Sequence, residues 1–539
     1  MTDPSPRIPR ARPFIGSGLF RPSLPYPSHA YAHLLACAAA RVPEQVALIF
    51  HEVRLTYREL DALVAALANA LHALGIGRGQ RVCLFLANRP EFVISWFAIL
   101  RAGAVACPLN PAYKEREVAY QLADSEAVAL IVERERLPLV QAVRGQVPDL
   151  RTLLVVDQEQ DAASEQIFAF ANLLSRSAPT PFPGTEPQGE ELAALLYSSG
   201  TTGLPKGVML SHRNLVVNAY QSVATARITA ADRMLSFIPL SHVYGVMLMG
   251  CAALAGAQLI LMERFEPGQW LRQIHQRRAS LIYSVPQVLA VVADWPEVEN
   301  YDLSSVRFNQ CGAAPVPPAL ARRFEQRTGI TVMTSYGLTE ASPGTHSNPV
   351  DDAQLIKVET VGLPIHDTQQ QIVDIESGTR ALGVGQEGEL IVRGPQVMQG
   401  YWKAPQATAE ALRDGWLYTG DIGWRDEQGY VTITDRKKEM IKYKGFSVAP
   451  AQIEAVLLEH PAVADAAVVA RASTEAGEIP QAFVVLRPGY GQQSADELMA
   501  WVNGQLATFK HVRAMTYIDA IPRNPSGKIL RRLLKEQKQ

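Results

Sequence analysis

The chain has 539 residues, too many for one ordinary hydrophobic core, so at least two domains are expected, with the larger one subdivided. A content of 47% hydrophobic and 19% charged residues describes a globular protein, and a formal net charge of -2 offers no basic surface for nucleic acid. The five cysteines (Cys37, Cys83, Cys107, Cys251, Cys311) and the eleven histidines are scattered without metal-ligand spacing. The cysteines read as buried thiols of a reducing compartment, which places the protein in the cytoplasm. No apolar run has the length of a membrane span, and peripheral membrane contact stays open. Residues 1–30 carry Arg7, Arg10, Arg12 and Arg21 but lack the apolar centre of a secretory signal. They read as an extended arm that wraps or frays.

In chain order, residues 33–41 read as a helix and 46–50 as a strand. A long amphipathic helix opens at Tyr57, apolar at Leu60, Leu63, Leu67 and Leu71. A strand at 82–87, a helix from Pro90 towards Gly103, a strand at 105–109, a helix at 117–122 and a strand at 127–132 follow. Such alternation indicates parallel α/β layers. Beyond Val155 the rhythm lapses until about Glu190, and residues 177–190 read as a surface linker. It resumes at 192 and continues to about 345, with strands at 235–239, 257–262, 281–285 and 306–309. Short strands and turns over 360–434 suggest a compact β subdomain. After Asp435-Arg436-Lys437-Lys438 the pattern becomes α+β, which marks a domain boundary.

Residues 197–207, YSSGTTGLPKG, cannot pack a core. Glycines let backbone N–H groups converge, and hydroxyls with one ammonium add donors, so a polyphosphate is the natural guest. The common phosphate loop starts a helix on its Lys. Here Lys206 leads instead into the strand-like 208–210, and Ser211 then reads as the N-cap of a helix. Five further segments combine polar and small residues. In 239–245, PLSHVYG, a packed and hydrogen-bonded His–Tyr pair competes with a catalytic histidine. Residues 311–315, CGAAP, allow a flat ligand to approach the backbone. In 335–342, SYGLTEAS, a strand delivers Thr339 and Glu340 at its C-terminal end, where ligands of open α/β sheets sit; Thr339 suits a phosphate oxygen and Glu340 suits Mg²⁺. In 416–421, WLYTGD, a Thr-Gly turn presents Asp421 as an acceptor for vicinal hydroxyls. The last segment is paired, KYKGF at 442–446 and PSGKI at 525–529.

Together these segments resemble, in order, the AMP-forming acyl-CoA synthetases of the adenylate-forming superfamily over residues 30–535. YSSGTTGLPKG, YGLTE, YTGD, DRKKEMIKYKG and PSGK carry the resemblance. It implies an α/β fold: a large N-terminal domain of two α/β layers plus a small β subdomain (31–434, after the arm at 1–30), a hinge at 435–438, and a small mobile α+β lid at 439–539. It further implies that Ser198, Ser199, Thr201, Thr202 and Lys206 hold the β- and γ-phosphates of ATP. Gly312, Ala313 and Ala314 would sandwich the adenine with Tyr336 and Gly337. Thr339 would meet the α-phosphate, Glu340 with Thr201 would position Mg²⁺, and Asp421 with Arg436 would hold the ribose. His242 would border both the α-phosphate and the acyl pocket. Lys528 would act between carboxylate and α-phosphate in the first half-reaction, Lys438 would be the pivot, and Lys442 with Gly445 would face the site in the second, where coenzyme A enters. Ser447 stands where several relatives have Gln. Ser335 replaces a Gly or Gln that precedes the Tyr in many of them.

By position, Val243, Val246, Met247, Gln310, Cys311, Gly312, Gly337, Leu338 and Pro343 would line an apolar acyl pocket with no cation for a second carboxylate. Gln310 replaces the Lys that 4-coumarate ligases often carry, and residues 336–349 look most like bacterial medium- to long-chain fatty-acid ligases. A fatty acid is the favoured substrate. An aryl acid, or a fatty acyl-AMP ligase that loads a carrier protein, are the alternatives. A non-enzymatic nucleotide sensor on this scaffold would have no use for Lys528 and Glu340. Oligomeric state is not readable from these motifs.

Overall fold

Strand and helix follow one another as the sequence rhythm requires, and among the described residues the strands gather into four sheets. The computed structural model describes residues 21–539 apart from 163–165, 199–204, 351, 438, 445, 474–475, 491–493, 524–528 and 537–539. The nine-stranded sheet has at its centre Phe308–Cys311, Leu281–Ser284, Arg233–Ser236 and Gln258–Leu261, all parallel. Val332–Gly337 continues it in parallel and then turns antiparallel to Gly344–Ser347. The eight-stranded sheet is built around Arg81–Phe85, Val105–Pro108 and Ala127–Glu133, with Leu192–Ser198 joining beside Val105–Pro108. Strands such as Thr152–Val156 and Leu281–Ser284 are buried throughout, as expected for parallel strands covered on both faces.

Between these layers lies the helix Val243–Ala255, in which every residue is buried. A helix apolar all round belongs inside a protein, and this one packs on His212–Ala226 and His33–Arg41. Two glycines make that possible. A Cβ on Gly245 would lie 2.4 Å from the Pro239 carbonyl oxygen, and one on Gly250 would lie 2.4 Å from the Tyr31 hydroxyl. Tyr31 uses that space to donate to the Val246 carbonyl at 2.8 Å. The segment just before it wraps: Leu24 N–H and the Tyr26 hydroxyl donate to Asp367 Oδ2 at 3.0 and 2.5 Å, and the Pro22 carbonyl meets His366 Nδ1 at 2.7 Å. The first twenty residues of the arm lie outside the described part.

Two departures from the sequence reading concern its loops. The strand Ile167–Ala169 and helix Phe170–Arg176 interrupt the lapse between Val155 and Glu190, because three and seven residues are too short to show a period. Asp421 sits within the long strand Trp416–Arg425 and not after a turn; the register shifts next to it, and Gly420 has φ +71°. Cys83, Cys107, Cys251 and Cys311 are buried as expected, but Cys37 is half-buried. No helix among the described residues is long and apolar enough to cross a membrane.

The large N-terminal domain is followed by a small C-terminal one with a core of its own, including Ile441, Ile453, Leu457, Val468, Val484 and Val502. Its sheet pairs Val463–Ser473 with Gly477–Leu486, and Ala514–Tyr517 adds in parallel. Asp435, near the end of Val431–Arg436, couples it to the preceding sheet. The carboxylate accepts from Arg436 N–H at 2.6 Å and from Ala451 N–H at 3.1 Å, in the first turn of Pro450–Glu459. Glu454 and Arg531 face the same site, Arg531 paired with both Glu454 and Glu439. Burial outweighs the two backbone donors and Arg531 and pushes the Asp435 carboxyl up to about 7. The folded chain therefore keeps a proton that the unfolded chain loses near pH 4, so this residue's contribution to stability falls as pH rises from about 4 to about 7. Asp435→Asn is expected to flatten the decline of the melting temperature over that window, as read by thermal denaturation from pH 4.5 to 8.

Candidate active site

The strands on either side of the glycine-rich loop pair as a hairpin. Leu192–Ser198 and Lys206–Ser211 run antiparallel with Ser198 opposite Lys206, and the Ser211 side chain caps the next helix by accepting from Asn214 N–H. Strand, loop, strand and helix follow in the expected order. Ser199, Thr201 and Thr202 lie outside the described residues, while Ser198 (half-buried) and Lys206 (exposed) mark the two edges of the tip. Two tyrosines and a tryptophan brace its base. Tyr197 donates to Asp124 Oδ2 at 2.6 Å, Tyr120 donates to the Pro205 carbonyl at 2.9 Å, and a Cβ on Gly207 would lie 3.3 Å from both Trp402 Cβ and Tyr197 Cζ.

Alongside this hairpin runs Gly400–Tyr401, with Tyr401 opposite Val208. The Tyr401 hydroxyl donates to Glu340 Oε1 at 2.8 Å, and its ring lies 5.2 Å from Lys206 Nζ. Burial and the Glu340 charge both hold this phenol's pKa above its usual value, so it stays protonated and a donor. One side chain thus joins the carboxylate of YGLTE to the ammonium of the hairpin. Sequence reading passes over it, because Gly400-Tyr401-Trp402 shows no cluster of polar groups. It also passes over Asn88, whose Oδ1 accepts from Leu240 N–H at 2.8 Å while its Nδ2 lies within 3.1 Å of the Phe237, Ile238 and Met262 carbonyls. That amide pins the backbone just before His242.

Asp421, Tyr336 and Arg436 come together as a second cluster. Asp421 is 2% exposed; its Oδ2 accepts from the Tyr336 hydroxyl at 2.5 Å, and its Oδ1 lies 2.9 Å from Arg436 Nε. That second oxygen has no aligned hydrogen-bond donor among the described residues, so a buried acceptor is left for a hydroxyl. The Asp421 charge raises the Arg436 pKa. Thr339 and Glu340 lie close by in sequence to Tyr336, half-buried in the 3₁₀ turn Thr339–Ala341.

The third cluster surrounds the start of the buried helix. His242 is its N-cap and accepts at Nδ1 from Tyr244 N–H at 3.2 Å. Burial pushes the imidazole down to about 4, so at neutral pH it is uncharged, with Nε2–H as a donor. The Tyr244 hydroxyl turns away and donates to the Gln310 carbonyl at 3.2 Å, so the two side chains are not the mutually bonded pair that PLSHVYG allows. Gly312 is buried between Ser335 and Tyr244: a Cβ there would lie 3.3 Å from Ser335 Oγ and 3.8 Å from Tyr244 Cε1. Ala313 has φ +69°, a strained value for a residue with a Cβ that costs of order 1–3 kcal/mol. Ala314 is half-buried beside it, and Gly337 is exposed, with the Pro343 carbonyl oxygen 2.4 Å from where a Cβ would stand. Val243, Val246, Met247, Cys311 and Pro343 are buried, whereas Gln310 and Leu338 are half-buried. Burial pushes the Cys251 and Cys311 thiols up to about 12, which leaves them inert.

The C-terminal contributors are less complete. Lys442 lies in the hairpin Ile441–Tyr443 with Phe446–Val448, opposite Ser447. Lys438, Gly445 and Lys528 fall outside the described residues, and Arg523 and Ile529, on either side of 524–528, pair as a β-bridge. Among the described residues no three His, Cys, Asp or Glu side chains gather as a metal cage. A single carboxylate such as Glu340 suits a hard cation that takes its remaining oxygens from phosphate and water. Tyr401→Phe keeps the ring against Lys206 and removes the donor to Glu340. The expected outcome is a rise of roughly fivefold in the half-saturating magnesium concentration of ATP-dependent turnover, measured by titrating the cation at fixed ATP.

Known proteins resemble this chain in sequence and in fold. A family model for AMP-binding enzymes matches residues 35–402, and the model for the C-terminal domain of AMP-binding enzymes matches residues 452–528. A long-chain-fatty-acid–CoA ligase of Bacillus subtilis (strain 168) is 34% identical over 539 residues, 95% of each chain. 4-Coumarate–CoA ligase 1 of Oryza sativa subsp. japonica is 36% identical, covering 90% of this chain and 88% of its own. The crystal structure of an anthranilate CoA ligase in complex with anthranoyl-AMP superposes with a TM-score of 0.87 at 26% identity, covering 95% of this chain and 97% of its own. With both models matched in order, the first of them across the hairpin, the chain belongs to the AMP-binding enzyme family, the adenylate-forming acyl-CoA ligases.

Proposed function

We propose that this ligase activates a medium- or long-chain fatty acid through its acyl-AMP to the acyl-CoA thioester, releasing pyrophosphate and then AMP, in the cytoplasm. The observation that carries the choice of acid is the buried wall of Val243, Val246, Met247 and Cys311 next to an uncharged His242, with no charged side chain among them. A second carboxylate or an ammonium on the substrate would be left unpaired against such a wall. The Bacillus relative, named for long-chain fatty acids, agrees with that reading.

In the first step a substrate carboxylate oxygen bonds to the α-phosphorus of ATP, and the bond from that phosphorus to pyrophosphate breaks. Two anions meet, so donors and cations must neutralise charge as it develops. The hairpin with Lys206 receives the β- and γ-phosphates, and Lys528 acts between carboxylate and α-phosphate. The open Oδ1 of Asp421, beside Arg436, accepts from the ribose hydroxyls, and Gly312, Ala313 and Ala314 with Tyr336 flank the adenine. Magnesium supplies further neutralisation when bound, and the hard oxygens of Glu340 and Thr201 fit it. His242, neutral with its Nε2–H as donor, steadies the oxygen that carries charge without adding a fixed cation. In the second step the coenzyme A sulfur bonds to the acyl carbonyl carbon and AMP leaves as Lys442 and Gly445 come to face the site. One surface cannot serve both steps, so residues 439–539 swing about a pivot at 435–438 relative to residues 31–434.

An aryl acid is the second reading, favoured by the aromatic ring of Tyr244, whose Cε1 lies 3.8 Å from where a Cβ on Gly312 would stand, and by the relatives named 4-coumarate–CoA ligases. A panel of saturated acids of graded length, with benzoate and 4-coumarate beside them, separates the two through AMP and acyl-CoA formation. A maximum at a medium or long saturated acid is expected, and a maximum at an aryl acid overturns the choice. Release of AMP only when a carrier protein replaces coenzyme A would assign a loading enzyme instead. Lys528→Ala is expected to lower adenylation by roughly 100- to 1,000-fold while thioester formation from pre-made acyl-AMP persists, and equal loss of both half-reactions removes Lys528 from its role.

A further inference from the structure

The helix His212–Ala226 follows the hairpin directly and carries a stripe of amides, Asn214, Asn218 and Gln221, on one face. They are 7%, 0% and 0% exposed, and Gln396, equally buried, meets them from the loop after Gly388–Arg393. Both N–H groups of each amide are used. Asn214 Nδ2 donates to the Pro395 and Val397 carbonyls at 3.0 and 2.9 Å, and Asn218 Nδ2 to the Gly344 carbonyl at 3.0 Å and Gln221 Oε1 at 3.1 Å. Gln221 Nε2 donates to the His366 carbonyl at 2.6 Å and Gln396 Oε1 at 3.2 Å. Gln396 Nε2 donates to Thr368 Oγ1 at 2.7 Å and, more weakly, to the Gly344 carbonyl at 3.4 Å. A satisfied network of buried amides fixes one arrangement where an apolar stripe would accept several.

What the stripe holds is backbone. Buried N–H and C=O groups that no ladder satisfies need partners from elsewhere, and here side chains supply them. Asn218 grips Gly344 twice, since its Oδ1 also accepts from Gly344 N–H at 3.1 Å. Two residues earlier the Ser342 hydroxyl donates to the Gln396 carbonyl at 2.8 Å, and Ser342 has φ +72°, a left-handed conformation that a residue with a Cβ seldom adopts. Between them the Pro343 carbonyl accepts from Leu338 N–H at 3.1 Å. These contacts close the base of the 3₁₀ turn Thr339–Ala341, which carries Thr339 and Glu340. The turn itself is tied to the same frame: Met398 N–H donates to the Glu340 carbonyl at 2.8 Å, one residue beyond the Val397 carbonyl that Asn214 holds.

We propose that Asn218 and Ser342 are positioning residues for adenylation: through the base of this turn they fix Thr339 and Glu340 relative to the hairpin, so that both meet the nucleotide's phosphates already aligned. The inference rests on the placing of Thr339 and Glu340 at the phosphates given above, and neither Asn218 nor Ser342 touches a substrate in it. The helix begins where the hairpin ends, at Ser211, so one element registers the phosphate loop and the turn to each other. Groups held in place stabilise developing charge because they need not reorganise during the reaction, and slack in the turn removes that advantage. Pyrophosphate has left before the thiol attacks acyl-AMP, so the second step draws little from the turn.

The test uses the full-length enzyme with the acid that turns over best, and reads pyrophosphate release and, separately, thioester formation from pre-made acyl-AMP. Asn218→Leu keeps the side-chain volume and loses its hydrogen bonds, and Ser342→Ala removes one hydroxyl from the same base. They are expected to lower kcat of pyrophosphate release by about tenfold and about threefold, while thioester formation stays within about twofold. Glu340→Gln is the reference, and Asn218→Leu added to it is expected to lower the rate by less than it does alone, because both act through one turn. Pyrophosphate release unchanged in both variants, equal loss of the two half-reactions, or losses that multiply in full with Glu340→Gln overturns the inference and leaves the amides as packing. Where Asn218→Leu fails to fold, Ser342→Ala decides by the same split. If Glu340→Gln itself spares pyrophosphate release, the placing of that carboxylate at the phosphates fails, and this inference fails with it.

Discussion

Burying the Asp421 carboxylate between a phenol and a guanidinium is the constraint on which the site depends. A charge so withdrawn from water persists only with donors around it, and here one oxygen is satisfied by Tyr336 while the other has Arg436 beside it without an aligned bond. The three residues come from different parts of the chain: the end of a parallel strand, the middle of an antiparallel one, and the last residue of the strand that leads into the C-terminal domain. Any arrangement that brings them together must set the β subdomain against the C-terminal ends of the nine-stranded sheet. The same packing then lays residues 400–402 along the hairpin, so the Asp421 cluster and the hairpin are positioned by one contact surface.

Tyrosine is the joining residue throughout. Tyr401 ties Glu340 to the hairpin, Tyr336 ties the strand Val332–Gly337 to Asp421, Tyr244 ties the helix start to Gln310, and Tyr31, just after the arm, ties its end to Val246. Each combines an apolar ring that tolerates burial with a single polar tip that demands a partner. Such side chains fix distances between elements, which a site assembled from three sheets and several loops requires.

Much of this is legible in the sequence, and for identifiable reasons. Alternating apolar runs mark many strands and helices of both layers to within about three residues, because buried parallel strands carry uninterrupted hydrophobic stretches. The hairpin, YGLTE and YTGD stand out since they combine small and polar residues where a core cannot form. What stays hidden are partners whose meaning lies in three dimensions. Asn88 is an ordinary residue before a helix until three carbonyls converge on it, and Tyr401 is one aromatic among many until it sits between Lys206 and Glu340. The strand carrying Asp421 reads as a turn because a glycine at positive φ inside a bulge looks the same, in sequence, as a glycine that ends a strand.

The antiparallel register of Ser198 with Lys206, combined with that of Val208 with Tyr401, has a consequence for how this scaffold tolerates change. Lengthening the tip between those two paired positions alters only the span available to a guest. A single insertion at Val208–Leu210 would instead put the side chains before it and after it out of step, so that the pairing of Val208 with Tyr401 and the pairing of Leu210 and Ser211 with Leu192–Ser198 could not both be kept. Variation among descendants of this chain is therefore channelled into the crown of the ribbon, while its flanks stay fixed in length.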